Sequence, residues 1–279
     1  MQKGFVEQLG DFAGEETLML IVSSMLCVAG ILFFGKQTMV SKLGGIRGRE
    51  LPFYAVFACS FALMFVAVRF WAEKEVRNNS AYLLLVMLMG GAFLTLTGVL
   101  FRWLGVSLRE DAFERRNFAA VIALCGAIVG ALLIYTGANL GAGPSFWNNI
   151  FGSVLGSAAW FGLWLAVELG GRVSASITEE RDLASGARLA GFLAATGLIC
   201  GRALAGDWHS VEGTAHDFVR DGWPAILLVL AAIIEELVLR PNVSRPFPSW
   251  KKNGLAPALL YLLFALGWVW HLGWWEGAS

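Results

Sequence analysis

Eight stretches of this 279-residue chain run almost without charge, at roughly 17–35, 52–71, 81–101, 118–137, 149–169, 184–204, 223–240 and 254–273. An apolar run of about 18 residues or more is long enough to cross the hydrocarbon core of a bilayer as a helix. A backbone in lipid has to satisfy its own polar groups, which leaves helices or closed barrels. Barrel strands are about half as long and alternate in polarity, so they do not fit. The expected fold class is therefore all-α: a polytopic membrane protein with eight transmembrane helices and almost no soluble domain. The chain is 57% hydrophobic and 15% charged, against about 25% charge in an ordinary soluble domain. The first apolar run follows a polar, acidic segment with Glu7, Asp11, Glu15 and Glu16. It is long enough to be a retained span and not a cleaved signal.

The helices fall into a repeat. Leu51, Asn117, Asp182 and Asn253 open similar segments 66, 65 and 71 residues apart. This divides a single membrane domain, 1–279, into four tandem helical hairpins at about 17–71, 81–137, 149–204 and 223–273. Asn117, Asp182 and Asn253 are suited to N-capping the second helix of a hairpin. The first unit has Glu50 and then Pro52, and proline is tolerated in a first helical turn.

Basic residues orient the hairpins. The four loops inside the units hold 14 of them: Lys36, Lys42, Arg47, Arg49, Arg102, Arg109, Arg115, Arg116, Arg172, Arg181, Arg240, Arg245, Lys251 and Lys252. The opposite side has Lys3, Lys74, Arg77 and Arg220, and the acidic 206–222 connection with Asp207, Glu212, Asp217 and Asp221. The positive-inside rule then puts the loops in the cytoplasm and both termini outside. Trp268, Trp270, Trp274 and Trp275 read as an aromatic belt at the outer face.

Ionisable residues within spans are costly and are functional candidates. Lys36, Arg102, Glu168 and the pair Glu235 and Glu236 fall at equivalent places, at the end of each first helix. Two are basic and two acidic. Hairpins arranged around a common axis would make of them a ring of complementary charge near the cytoplasmic face. Arg188 lies about 9 Å into its helix at roughly 1.5 Å per residue. Its expected partner is Glu168 of the same hairpin, with snorkelling to headgroups as the alternative. Lys36, Arg102, Glu168, Arg188, Glu235 and Glu236 thus form the candidate intramembrane charge network. The spans are polar at both ends and apolar between, which argues against a continuous water-filled pore.

The segments Arg116-Asn117-Phe118-Ala119-Ala120 and Arg181-Asp182-Leu183-Ala184-Ser185-Gly186 resemble a bacterial membrane family called domain of unknown function 350. The likeness is clearest over 81–240. It is weaker over 17–70, where Pro52 replaces the usual small residue, and over 223–273. Asp182, in place of a commoner asparagine, and Arg188 are departures. The resemblance implies a bacterial inner-membrane protein, loosely linked to envelope stress and polyamine-related gene neighbourhoods. It implies no catalytic residues.

Other chemistry finds little support. Cys27, Cys59, Cys125 and Cys200 all fall in spans and none makes a CxxC pair, which suits apolar packing. His209, His216, Asp207 and Asp217 match no strong metal template. No Gly-x-Ser-x-Gly or His-Glu-x-x-His occurs. No enzyme, cofactor or metal is therefore expected, and zero net charge gives no case for nucleic acid. Gly126-x-x-x-Gly130, Gly152-x-x-x-Gly156 and Gly197-x-x-x-Gly201 offer close-packing faces, within one chain or at a homo-oligomer seam. The partners expected are the lipid bilayer and other membrane or cytoplasmic subunits. The leading expectation is a membrane scaffold or accessory subunit of an envelope complex. The alternative is a channel or transporter for a small ion or amine, gated by the inter-repeat charges.

Overall fold

The computed structural model describes residues 4–12, 14–42, 51–244 and 248–273. Lys3, Arg47, Arg49, Glu50, Arg245, Trp274 and Trp275 lie outside them, as does the side chain of Lys42. The described chain is helical: α1 (Phe5–Gly10), α2 (Gly14–Lys42), α3 (Leu51–Trp71), α4 (Lys74–Asn78), α5 (Ser80–Leu100), α6 (Phe118–Ala138), α7 (Phe146–Gly171), α8 (Val173–Thr178), α9 (Leu183–Leu204), α10 (Val211–Gly222), α11 (Ala225–Leu239) and α12 (Ala256–His271). Single π-helical turns occupy Leu108–Glu114 and Trp250–Leu255, and a 3₁₀ turn continues α5 over Phe101–Leu104.

Among the described residues, seven helices are long and apolar enough to cross a membrane. An eighth crossing exists only if α10 and α11, bent by 45° at their junction, count as one broken span. This amends the expected span at 223–240 and the expected loop at 206–222. Most of that loop is α10, which is capped by Ser210, whose hydroxyl accepts from Gly213 N–H. Pro224 sits at the bend; its ring removes a donor and clashes with the preceding turn, so a straight continuation is disfavoured.

Two of the expected caps form. Asn117 Oδ1 accepts from the N–H groups of Ala119 (3.0 Å) and Ala120 (3.4 Å). The Asp182 carboxylate accepts from Ala184 (3.2 Å) and Ser185 (2.8 Å). The loops before them share a construction. Arg116 and Arg181 both adopt a left-handed backbone, with φ of 54° and 56°. The next N–H then turns back, Asn117 to Asp111 O (3.0 Å) and Asp182 to Ser176 O (2.9 Å). Asn253 is no cap: it lies inside the second π-helical turn, and α12 starts at Ala256 with proline in its first turn.

Helices α6 and α9 pack side by side and run parallel. In α6 and α9, a Cβ added to Gly126 would lie 2.3 Å from Ala190 Cα, one on Gly197 2.3 Å from Gly130 Cα, and one on Gly201 2.4 Å from Leu133 O. The small residues let the two backbones touch, the usual basis of close association in lipid. Both helices are buried along most of their length, and Trp160 of α7 donates its indole N–H to Leu193 O (3.0 Å) from beside the crossing. The row α3–α6–α9–α12 extends this pattern, with Gly191 of α9 against Ala258 of α12. The first helices flank it, α2 on α5 and α7 on α11. The row is open, since α3 and α12 at its two ends make no substantial contact. These four helices therefore do not enclose an axis, and the expected ring of four charges does not close.

Candidate functional site

The site is a buried polar cluster where the start of α9, the end of α11 and the Trp250–Leu255 turn converge. Its local sequence is Asp182-x-x-Ser185-x-x-Arg188, three side chains at i, i+3 and i+6 on one face of α9. Helical neighbours three apart face one another, and the cap places Asp182 at the head of the series. Gly171, at the end of α7, lies against the Glu236 stem; an added Cβ would be 3.2 Å from Glu236 Cβ.

Arg188 is 3% exposed and Glu236 1%. Arg188 Nη2 donates to Glu236 Oε2 at 2.6 Å, and Nε to the same oxygen at 3.2 Å. Nη2 also donates to Ser185 Oγ (2.9 Å), and Nη1 to Asn253 O. Ser185 Oγ in turn lies 2.8 Å from Asp182 Oδ2 and 3.0 Å from Glu236 Oε1. Its one proton can go to only one of them at a time. Two carboxylates thus face one guanidinium and the positive end of the α9 dipole, worth roughly half a charge. All three guanidinium nitrogens and both Glu236 oxygens have partners within the chain, which is the condition under which a buried pair is tolerated.

The expected pairing of Arg188 with Glu168 is overturned. Glu168 accepts instead from Ser174 N–H (2.9 Å) and Ser174 Oγ (2.5 Å). Its carboxylate is used where the chain turns at Arg172, with φ of 54°, from α7 into α8. That also accounts for an acid at a helix C-terminus, where the dipole alone disfavours it. Glu235 is half-buried and accepts from the Tyr261 hydroxyl of α12. Lys36 and Arg102 are exposed and, among the described residues, their side chains form no ion pair. Of the six candidate residues, only Arg188 and Glu236 come together. Ser185 and the Asn253 carbonyl were not singled out beforehand. The i, i+3, i+6 spacing from Asp182 was the available signal for Ser185; a backbone acceptor leaves none.

A second polar region lies at the opposite end. A cavity of about 600 Å³ there is lined by Arg202, Asp207, His209, Asp217, Arg220 and His271, among others. Its charges are largely engaged. Arg202 Nε and Nη2 donate to Gly273 O (3.2 and 3.1 Å), binding α9 to the end of α12. Asp207 accepts from Ala142 N–H (2.9 Å), and Arg220 pairs with Asp217 (3.0 Å) and Asp221 (2.8 Å).

No curated protein and no solved structure matches the chain. Residues 75–204 match the family model described as Domain of Unknown Function (DUF350). The match spans α5 to α9 and takes in Asp182, Ser185 and Arg188, while Glu236 and Asn253 come from beyond it. The chain is thus a helical, multi-pass membrane protein whose residues 75–204 are similar to the DUF350 family.

Proposed function

We propose that the chain is a membrane scaffold or accessory subunit of a bacterial inner-membrane envelope complex. The observation that carries this reading is the closure of the buried cluster. Arg188 and Glu236 are saturated by Ser185, Asn253 and each other, so their charge holds helices together and is not left for a passing ion. By contrast, Arg172 and Arg181 are exposed, on left-handed backbone, at the same end of the molecule. Such backbone is uncommon for a residue other than glycine and is worth a functional question. These loops are the surface offered to an acidic partner subunit. Affinity purification from native membranes should recover a stoichiometric partner, lost on Arg172→Glu with Arg181→Glu. A solitary protein would sink the proposal.

The orientation proposed from the charge pattern has its own test. A cysteine replacing exposed Arg181 should react with an impermeant thiol reagent only from the cytoplasmic side, and one replacing exposed His216 only from the outside. Labelling of both from one side would reject this topology.

The second reading is transport of a small ion or amine. It rests on the 600 Å³ cavity with both signs of charge at the outer end. Flux into liposomes containing the purified protein decides it; no flux across candidate ions and polyamines counts against it.

A further inference from the structure

The contacts within the helix row fix a register. Gly186 of α9 lies against Ala119 of α6, and Ala190 against Gly126. Gly254, in the turn before α12, lies against Ala184 of α9, and Ala258 against Gly191. Ala184 and Gly191 stand 65 residues after Ala119 and Gly126, and Gly254 and Ala258 stand 68 after Gly186 and Ala190. The α9–α12 crossing therefore repeats the α6–α9 crossing residue for residue. Each helix of the row has a forward face toward the next helix and a rear face toward the one before.

The same register reaches α3. Its forward residues, 66 before Ala119, Gly126 and Gly130, are Phe53, Ser60 and Met64, all buried. The parallel sense holds there too: Phe53 packs on Phe113, just ahead of α6, and Met64 and Tyr135 meet over Gly90. Counting back 65 and then 66 residues from Gly186, Ala190 and Leu193 on the rear face of α9 gives Ala55, Cys59 and Ala62 on α3, and all three are exposed. At the other end, the rear face of α12 is buried through Ala258 and Tyr261. Its forward residues, 68 after Gly191 and Ala195, are Leu259 and Leu263, which are 49% and 63% exposed. The row thus ends in one open rear face and one open forward face, the two halves of a crossing the chain makes three times within itself.

The open faces also fit each other in size. At the α6–α9 crossing the forward face is glycine, Gly126 and Gly130, and the rear face carries the larger Leu193. At the ends of the row the sizes are exchanged, with leucines forward on α12 and small residues at the rear of α3. A lipid-facing surface needs no small side chains, and elsewhere the exposed surface of α3 carries Tyr54, Phe57, Leu63 and Phe65. Small residues serve close approach between helices in lipid. Copies of one chain share one orientation in a membrane, so α12 of one meets α3 of another in the parallel sense of the row. We infer that a second copy of this chain covers the open ends, with Leu259 and Leu263 of one copy seated on Ala55, Cys59 and Ala62 of the next. Such a contact is heterologous and continues from copy to copy instead of ending at a dimer. It uses neither Arg172 nor Arg181 and does not depend on the scaffold reading.

Cross-linking in reconstituted vesicles tests it on the full chain, with Cys27, Cys125 and Cys200 changed to alanine so that Cys59 is the remaining thiol. With Leu259→Cys added, a short bifunctional thiol reagent should give a ladder of multimers, because position 259 stands to Cys59 as Gly126 does to Ala190. A link within one chain is ruled out by the separation of α3 and α12. Cys59 alone should stay monomeric, and Ile234→Cys, 62% exposed on α11, should add no ladder. Ala62→Trp, at an exposed position, should abolish the ladder with helix content unchanged. The inference is overturned by cross-linked dimers from Cys59 alone, which mark a symmetric α3–α3 contact, or by an equal ladder with Ile234→Cys. No ladder from Cys59 with Leu259→Cys, or one that Ala62→Trp leaves unmoved, overturns it as well.

Discussion

Replacing Arg188 with methionine should destabilise the protein by about 3–5 kcal/mol, the usual effect of removing one partner from a buried ion pair. The reason lies in what is left behind. Glu236 would keep its burial and its place at a helix C-terminus, where the dipole opposes it, and lose both hydrogen bonds to Oε2. Asn253 O and Ser185 Oγ would lose a donor in the same step. Methionine replaces the guanidinium stem with similar volume, so packing contributes little. Glu236→Gln should cost less, because the amide oxygen still accepts from Arg188. Changing both Arg188 and Glu236 to methionine should recover much of the loss, since well-packed apolar pairs often replace buried ion pairs without penalty. Thermal unfolding in mild detergent, followed by far-ultraviolet circular dichroism, gives the comparison. Glu168→Gln is the internal contrast: that carboxylate is only half-buried and serves a local turn, so its loss should be the smallest of the set. A single Arg188→Met change that moved stability by less than about 1 kcal/mol, within the ordinary spread of surface substitutions, would mean the pair does not hold α9 to α11.

What the sequence made legible follows from what a bilayer demands. The helices were readable because an apolar run in lipid has hardly any other conformation to adopt. The caps at Asn117 and Asp182 were readable because the chemistry is local, within three residues. Neighbour relations were not. Helix α6 is apolar nearly all round, and so is α9 between Arg188 and Arg202; such a segment can be central or lipid-facing with the same composition; the glycines at 126, 130, 197 and 201 were the trace of the central position. Arg188 looked closest to Glu168, which shares its hairpin, but partnership follows the packing of α9 on α11, and that is a property of the assembled layers. Helix α10 was hidden for a different reason. Its acidic face, with Glu212, Asp217 and Asp221, gave it the polarity of a loop, while the buried Phe218 marks the side turned to the core. Asn253 had the right residue type and roughly the right spacing for a cap, yet its backbone carbonyl, not its side chain, is what the cluster uses.

The α6–α9 crossing should be the least tolerant place in the molecule. A Cβ on Gly197 would lie 2.3 Å from Gly130 Cα and 2.6 Å from Gly130 O. Both obstacles are backbone, so no side-chain rotation relieves them, and the two helices have to move apart. Overfilling a packed core ordinarily costs about 1–3 kcal/mol and occasionally more. Gly197→Val should reach at least the upper end of that range, about 3 kcal/mol, with Gly197→Ala following in the same direction but smaller. The comparison that isolates the cause is Gly162→Ala on α7, where an added Cβ meets nothing within 4 Å. There the only consequence is helical propensity, and alanine should stabilise by up to about 1 kcal/mol. The two substitutions remove the same kind of residue from the same kind of helix and should move the unfolding temperature in opposite directions. Because Gly162 faces open space, its gain should survive unchanged in the Gly162→Ala, Gly197→Val double variant, as independent sites are additive. Equal and small effects at both positions would mean that α6 and α9 do not approach to backbone contact, and that the glycines at 126, 130 and 201 have no packing role either.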